Sequence, residues 1–350
     1  EREEVQRGKR LDMIPFDPER RRNSVLFETV SGTDVILRGA PEEVLGRCDH
    51  LESFTKKRLM EWAIKAGERG ERVLAVAQKP FVSGKKLSLY EEQHLTFVGL
   101  ISFFDTLKPT AKETIALARD LNVAVKIVTG DSKEVAGAVG YAVGLIASAT
   151  EVITGKELED MSEAERRATV RDMKVFARVS PHQKYDIIKS LQEDHEVGFL
   201  GEGINDAPAL KLANVAIVVA SASDIAREAA DVVLLRRNLE TVIVGIREGR
   251  TIFANIMKYL RVTLTSNFGN FYSVAMASLF IPFVPLLPIQ ILLLNILSDF
   301  PMIAIATDTV DDDELEKPKN YQVHSVVLMA TLLGVVSSIF DFILFGALYR

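Results

Sequence analysis

Between Val262 and Ala306 the chain runs for 45 residues with a single charged side chain, Asp299. About 20 apolar residues cross a bilayer as a helix, so the stretch is long enough for two crossings. A third apolar run, Val323–Tyr349, follows a polar segment. The pattern predicts three membrane helices, at about 262–284, 286–306 and 323–349, with a further helix over 238–261 leading into the first. Pro282, Pro285 and Pro288 leave only a tight connection between the first two spans. Lys258, Arg261, Lys317 and Lys319 fall on one side of the membrane, and that bias makes it the cytoplasmic side. Residues 1–261 and the 307–322 loop are then expected to be cytoplasmic in a multi-pass protein of the plasma membrane.

Composition narrows the rest. At 48% hydrophobic and 26% charged, the 350 residues can bury a core, which excludes a disordered or collagen-like chain. A net charge of −6 and one short basic run, Arg20 to Arg22, give no footprint for nucleic acid. Cys48 is the only cysteine, so no internal disulfide can form, and with His50 it falls short of a zinc constellation. No structural metal is expected. The charged segment Glu1 to Arg10 has no apolar run behind it, so no signal peptide is read there.

Residues 1–97 alternate strand-like runs (Ser24 to Val30, Asp34 to Leu37, Val73 to Ala77) with an amphipathic helix near Thr55 to Ala66, an α+β pattern. From residue 98 to 237 short apolar strands alternate with helices. The strands are expected at Val98–Phe104, Val123–Val128, Val175–Val179, Val197–Leu200, Val215–Val219 and Val232–Leu235, with helices after Pro109, Ser132, Pro181, Asp206 and Ser223. Such alternation argues for an α/β fold with a parallel, doubly wound sheet, whose functional loops sit at the carboxyl ends of its strands. Residues 238–350 are expected to form the helix leading into the membrane and the three spans.

Two of those strand ends carry chemistry. Val128-Thr129-Gly130-Asp131 and Gly201-Glu202-Gly203-Ile204-Asn205-Asp206-Ala207-Pro208 both set carboxylates and glycines at a strand-to-helix turn. Backbone N–H groups there can hold phosphate while carboxylates hold Mg²⁺. Thr-Gly-Asp alone reads as an ordinary turn with an N-cap, and the longer segment is much harder to explain that way. Ser180-Pro181-His182-Gln183-Lys184 opens a helix between them, and Lys184 could project over the same ends as a counter-charge; taken alone it is an ordinary surface lysine.

These segments, in this order, resemble the phosphorylation domain of P-type cation-transporting ATPases, a haloacid-dehalogenase-like Rossmannoid fold. The resemblance implies that Thr129, Gly130 and Asp131 contact phosphoryl group or nucleotide, that Lys184 neutralises phosphoryl charge, and that Asn205 and Asp206 complete the site. Glu202 stands at the position of the family's Mg²⁺-binding aspartate, with Asp206 beside it. Asp105-Thr106-Leu107-Lys108-Pro109 resembles the family's hinge, and Asp105 is counted with the nucleotide site. Phe16-Asp17-Pro18-Glu19-Arg20-Arg21 and Arg38-Gly39-Ala40-Pro41-Glu42 resemble its nucleotide-binding domain. By that resemblance Phe16 stacks on adenine, Arg38 replaces the usual Lys, Gly39 and Ala40 let the purine approach, and Arg72 reaches the phosphates. Without it, Phe16 reads as core and Arg72 as a surface ion pair. ATP and Mg²⁺ are the implied cofactors.

A charge inside a membrane span is costly and marks an ion path or a bundle interior. Asn295 and Asp299 share a helix face with Ser298 beside them, and Asn267 and Asn270 lie three apart on the preceding span. Oxygen donors without thiols suit a hard cation such as Mg²⁺ or Ca²⁺, although interhelical hydrogen bonding explains each Asn taken singly. Ser266-Asn267-Phe268-Gly269-Asn270, Phe280-Ile281-Pro282-Phe283, Asn295-Ile296-Leu297-Ser298-Asp299 and Ser337-Ser338-Ile339-Phe340-Asp341 resemble the magnesium-transporting branch. Asp341 is a second carboxylate in a span, to which the resemblance gives no role.

The sequence departs from the family in three places. Glu replaces Asp at 202, one methylene longer against a metal that demands near-ideal octahedral geometry, and Arg replaces Lys at 38. No Asp-Lys-Thr-Gly-Thr segment, which carries the phosphorylated aspartate, occurs in the 350 residues. The expectation is a C-terminal part of an ATP-driven cation pump, inactive in autophosphorylation by itself. Its expected partners are the transported cation, the lipid bilayer and a complementary N-terminal chain. Two other readings stay open: a membrane-anchored dehalogenase-like phosphatase, for which no Asp-x-Asp nucleophile is visible after a sheet strand near the start of the fold, and a non-catalytic split or decayed remnant that binds a partner subunit.

Overall fold

A computed structural model describes residues 8–81, 86–104, 106–236, 238–280, 282, 284, 286–320 and 322–349. The chain forms two compact units, residues 1–116 with 124–239, and residues 117–123 with 240–350.

The first unit opens with a five-stranded antiparallel sheet in chain order, β1 (Lys9–Asp17), β2 (Arg22–Thr29), β3 (Gly32–Gly39), β4 (Glu71–Pro80) and β5 (Thr96–Phe104). Between β3 and β4 come α1 (Pro41–Leu45) and α2 (Ser53–Glu68). Strand β2 alternates buried and half-buried residues from Arg22 to Phe27, the period-two signature of a sheet with one covered face. Leu37, Val44, Ala75, Ala77 and Leu95 close a core beneath it. A carboxylate is buried here as well. Glu92 is fully buried in the 3₁₀ turn Leu89–Glu92, and receives hydrogen bonds from Arg22 Nε at 2.7 Å, Ser24 Oγ at 2.8 Å and Arg20 Nη1 at 3.1 Å. Burial raises its carboxyl pKa, but those donors outweigh burial and leave it below the usual range. The run Arg20 to Arg22 is therefore spent on internal acids rather than on solvent.

The parallel part follows: α3 (Ala111–Asp120), β6 (Ile127–Val128), α4 (Lys133–Ala142), β7 (Ile153–Thr154), α5 (Gly155–Glu159), α6 (Glu163–Asp172), β8 (Val175–Ala177), α7 (Pro181–Leu191), β9 (Gly198–Gly201), α8 (Ala207–Leu212), β10 (Val215–Val219), α9 (Asp224–Glu228) and β11 (Val232–Leu234). Its strands pair as two three-stranded parallel sheets, β6-β8-β7 and β9-β10-β11, where the sequence pattern suggested one sheet. Strand β8 is buried along its whole length and β10 nearly so, as expected for central strands covered on both faces.

Three expectations are corrected. The run Val98–Phe104 is not the first parallel strand; it lies in β5, antiparallel to β4 with Arg72 opposite Phe103. A continuous apolar run carries no sign of strand direction, which is why the pattern misled. Val123–Val128 shrinks to Ile127–Val128, because Val123 N bonds back to Ala118 O and finishes α3. Strand β7 and helices α5 and α6 were not anticipated. Yet Thr154-x-x-Glu157 and Ser162-x-x-Glu165 both form capping boxes, a signal present in the sequence.

The second unit contains α10 (Glu240–Phe280), α11 (Pro288–Ile303), α12 (Asp312–Leu315) and α13 (Val323–Tyr349). The expected helix over 238–261 and the first expected span are one 41-residue helix. Two segments are long and apolar enough to cross a membrane, Pro288–Thr307 and Val323–Ala347. The 262–284 stretch does not reach that composition among the described residues; Ser266, Asn267, Asn270 and Ser273 dilute it. The loop after α11 is tied to α10: Lys258 Nζ donates to Asp308 Oδ2 at 2.7 Å, and Asn255 Nδ2 to Asp308 O at 2.9 Å. Arg250 Nη1 donates to Leu315 O at 2.6 Å. Lys258 therefore sits against the start of that loop, at Asp308 and Thr309.

Candidate functional site

Strand β9 ends at Gly201, and the chain turns through Glu202 and Gly203 into a 3₁₀ turn, Ile204–Asp206, that opens α8. A Cβ on Gly201 would lie 2.8 Å from Asp206 Cβ, so only glycine lets the turn fold back against the strand end. Asp206 is thereby placed to accept hydrogen bonds from Glu202 N at 3.2 Å and Gly203 N at 3.1 Å through Oδ2. Its Oδ1 accepts from Lys184 Nζ at 2.7 Å. Burial pushes the Asp206 carboxyl up, but the Lys184 ammonium and the two amides more than offset it and hold the group ionised below the usual carboxylate range.

Lys184 owes its place to the start of α7. Ser180 Oγ accepts from Gln183 N, Gln183 Oε1 accepts from Ser180 N at 2.8 Å, and Pro181 occupies the first turn, so the helix begins at a fixed point with Lys184 one turn in. The same segment is bonded to the loop after β6. Val179 N donates to Thr129 O at 3.0 Å and Arg178 N to Asp131 O at 2.9 Å. Within that loop Thr129 Oγ1 donates to Asp131 Oδ2 at 3.0 Å, and Ser132 caps α4. Thr129, Gly130, Asp131, Lys184 and Asp206 are thus linked through residues 178–184. Asn205 and Glu202 are exposed at the rim of the turn.

In the antiparallel sheet, pairing sets Asp17 opposite Arg22 and Arg22 opposite Gly39, so the end of β1 after Phe16 and the end of β3 at Arg38 share one end of the sheet. Phe16 is 61% exposed, which rules out a core role and leaves its ring free to stack. Arg38 Nε donates to Asn23 Oδ1 at 2.9 Å. Gly39 has a reason internal to the fold: a Cβ there would meet Arg21 O at 2.5 Å and Arg22 Cα at 2.8 Å. Ala40 is buried at the start of α1. Arg72 Nη2 donates to Asp131 Oδ2 at 2.8 Å, so this arginine meets the Thr-Gly-Asp loop directly. Arg178 pairs with Glu42 at 2.6 Å, a second bridge to the same loop region that sequence reading missed; charge type alone could not pair residues 136 positions apart. Asp105 lies outside the described residues, as do Ile281, Phe283 and Pro285.

In the second unit the structure brings some expected residues together. Asn270 Nδ2 on α10 is 3.4 Å from Asn295 Oδ1 on α11, and Ser298 Oγ donates to Asn295 O at 2.9 Å. Asn267 and Asp299 are exposed and lie outside this contact. A contact that was not anticipated joins Ser273 to Asp341, with 2.5 Å between Oγ and Oδ2.

Residues 2–110 match the family described as P-type ATPase, cytoplasmic domain N, and residues 283–350 match that described as cation transporting ATPase, C-terminus. The chain is 39% identical over 352 aligned residues to the magnesium-transporting ATPase, P-type 1, of Escherichia coli K12, covering 97% of this chain and 39% of that protein. The chain belongs to the P-type cation-transporting ATPases. The protein of the same name in Salmonella typhimurium LT2 is 40% identical over 353 residues, with 97% and 39% coverage. The calcium-transporting ATPase of Bacillus subtilis 168 is 33% identical over 325 residues, with 89% and 36% coverage. The chain spans about two fifths of the length of these curated relatives.

The carboxylates that the turn after β9 could offer to Mg²⁺ in company with a phosphate are Glu202, exposed at its rim, and Asp206, whose Oδ1 already accepts from Lys184. Among the described residues no group of three or more His, Cys, Asp or Glu side chains could hold a metal by itself. Mg²⁺ characteristically takes one or two carboxylates and leaves its other positions to phosphate oxygens and water, and the turn offers Glu202 and Asp206.

Proposed function

We propose that this chain is the C-terminal part of an ATP-driven cation pump that moves Mg²⁺ and works through an aspartyl-phosphate. The observation that carries the reading is the Lys184–Asp206 pair at the end of β9, bonded through residues 178–180 to the Thr129–Asp131 loop at the end of β6. Such a strand-end pocket combines amide donors, an ammonium group and carboxylates, the set needed for a transferring phosphoryl group. Residues 98–237 serve as the dehalogenase-like phosphorylation domain and residues 1–97 as part of the nucleotide-binding domain. Residues 238–350 supply the stalk and membrane spans, with residues 1–261 and the 307–322 loop cytoplasmic.

In this reading Phe16 stacks on the adenine of ATP while Arg38 and Arg72 orient its phosphates. Thr129, Gly130 and Asp131 bind the γ-phosphate oxygens, and Lys184 offsets their charge. Asn205 and Asp206 fix the turn that faces them. Glu202 and Asp206 would hold Mg²⁺, which supplies charge neutralisation of the phosphate oxygens when bound. The acceptor aspartate comes from a complementary N-terminal segment or chain. In the membrane, Asn267, Asn270, Asn295, Ser298 and Asp299 supply oxygens to the transported cation. A carboxylate facing lipid would be costly, so the exposed face of Asp299 is covered in the assembled pump. Mg²⁺ as cargo rests on the relatives that share 39% and 40% identity and on the oxygen-only donors.

The test uses ATP labelled in its γ-phosphate. Purified residues 1–350 should bind nucleotide and take up no acid-stable, hydroxylamine-labile label; labelling of this chain would overturn the assignment of the acceptor to another segment. When the protein is combined with a segment carrying Asp-Lys-Thr-Gly-Thr, label should appear and be lost in Lys184→Ala. Absence of label in the combined protein would overturn the pump reading.

A further inference from the structure

Helices α10 and α13 meet along a seam of small residues. A Cβ on Gly334 would stand 3.0 Å from Phe268 Cβ and 3.1 Å from Gly269 N, and one on Gly269 would stand 3.1 Å from Ser337 Cβ. The two backbones therefore come close enough for Ser338 Oγ to reach Gly269 O across the seam at 3.2 Å, besides Gly334 O of its own helix at 2.9 Å. One turn further along each helix lies Ser273, 2% exposed, with its Oγ 2.5 Å from Asp341 Oδ2. Asp341 is the one ionisable residue of the 27 in α13 besides His324 and Tyr349. It meets Ser273 across the seam, while Asn270, three residues earlier on α10, meets Asn295 of α11.

From this arrangement we infer that Asp341 is a positioning residue: through Ser273 it fixes the turn of α10 that presents Asn270 to Asn295, and it does not itself coordinate the transported cation. The inference rests on the proposed pump reading, in which Asn270 and Asn295 belong to the ion path. A side chain that acts by hydrogen bonding is replaceable by its amide, whereas a cation ligand that acts by charge is not. Residues that act through one contact also lose no more together than either loses alone.

The experiment measures uptake of radiolabelled Mg²⁺ into vesicles containing the full-length protein, over a range of Mg²⁺ concentrations. Asp341→Asn should stay within about twofold of the unsubstituted protein in half-saturation and maximal rate, while Asp341→Leu and Ser273→Ala each raise half-saturation by roughly fivefold. The double variant Ser273→Ala/Asp341→Leu should be no worse than either. Equal damage from Asp341→Asn and Asp341→Leu would overturn the inference, since charge itself would then be in use; so would normal half-saturation in both Asp341→Leu and Ser273→Ala. Where Asp341→Leu does not fold, Ser273→Ala decides. Oxidative cross-linking of Ser273→Cys/Asp341→Cys in the 350-residue chain provides a readout independent of pumping, with Phe271→Cys/Asp341→Cys as control. If the unsubstituted protein moves no cation, the pump reading fails; a missing cross-link at the 273–341 pair instead fails the inference.

Discussion

Lys184 and Asp206 form an ion pair with 2.7 Å between Nζ and Oδ1 and side chains only 17% and 15% exposed. The two residues follow different strands in different sheets, Lys184 after β8 and Asp206 after β9. The pair therefore couples the β6-β8-β7 sheet to the β9-β10-β11 sheet at the place where the phosphate chemistry is proposed.

Breaking that pair should loosen the first unit. Removing Lys184 leaves a largely buried carboxylate with only two amide donors, a loss of about 1–3 kcal/mol for a charged group stripped of its partner. Lys184→Ala should lower the thermal midpoint by several degrees, and Lys184→Arg, which retains the charge, by less. Trp62, the only tryptophan and part of α2, reports unfolding of this unit by fluorescence. An unchanged midpoint in Lys184→Ala would show that the pair contributes nothing to stability.

Acid sensitivity follows from the depressed carboxyls. Burial acts to raise Asp206, but Lys184 and the Gly203 and Glu202 amides bring it below its ordinary value. A group whose folded pKa is depressed contributes stability that is present above its unfolded pKa, about 3.9, and is lost as pH falls through the folded value. Glu157 behaves alike: the Lys133 ammonium and the Thr154 amide and hydroxyl draw it down to about 2. Its side chain is 48% exposed, so solvent screening makes its share the smaller. Asp206→Asn should destabilise the unit at pH 7 and flatten the fall in its stability below about pH 4, measured by urea unfolding at stepped pH.

Gly39 and Arg38 separate structure from ligand binding. A Cβ at Gly39 runs into Arg21 O and Arg22 backbone, which cannot swing aside as a flexible side chain can. Gly39→Ala should cost about 1–3 kcal/mol of stability with or without nucleotide. Arg38 is exposed, and among the described residues its side chain bonds Asn23 in the same sheet, so Arg38→Ala should leave the urea midpoint unchanged while weakening ATP binding in an equilibrium titration.

What was legible in the sequence, and what was not, follows from the range of the interactions. Helix starts at Ser132, Ser180 and Ser223 could be read because the cap and its donors lie within three residues. The strand-end motifs at Thr129–Asp131 and Gly201–Asp206 were legible because glycine spacing is local. Strand direction was not: nothing in Val98–Phe104 shows that its partner is β4 of an antiparallel sheet. Nor could charge type announce that Arg20, Arg22 and Ser24 converge on Glu92, or that Arg178 meets Glu42. In the second unit composition located Asp299 and Asp341 alike, but only the packing of α10 on α13 distinguishes the acid bonded to Ser273 from the exposed one.

Arg72 provides the sharpest separation between a structural and a functional contact. Its guanidinium lies 2.8 Å from Asp131 Oδ2, and its side chain is 57% exposed. An ion pair that open to solvent contributes about 0–1 kcal/mol and weakens with salt, so Arg72→Ala should change the urea midpoint little. In the proposed reading the same guanidinium turns to the phosphates of ATP when nucleotide binds, and a charge-assisted hydrogen bond lost there weakens affinity by about tenfold. Arg72→Lys should recover only part of it, since a single ammonium cannot reproduce the two-pronged contact of a guanidinium with phosphate. Equilibrium titration of the chain with ATP, and with adenosine as a ligand lacking phosphates, separates the two roles. Loss confined to ATP supports contact with phosphate; equal loss for adenosine would place Arg72 in the architecture of the pocket instead.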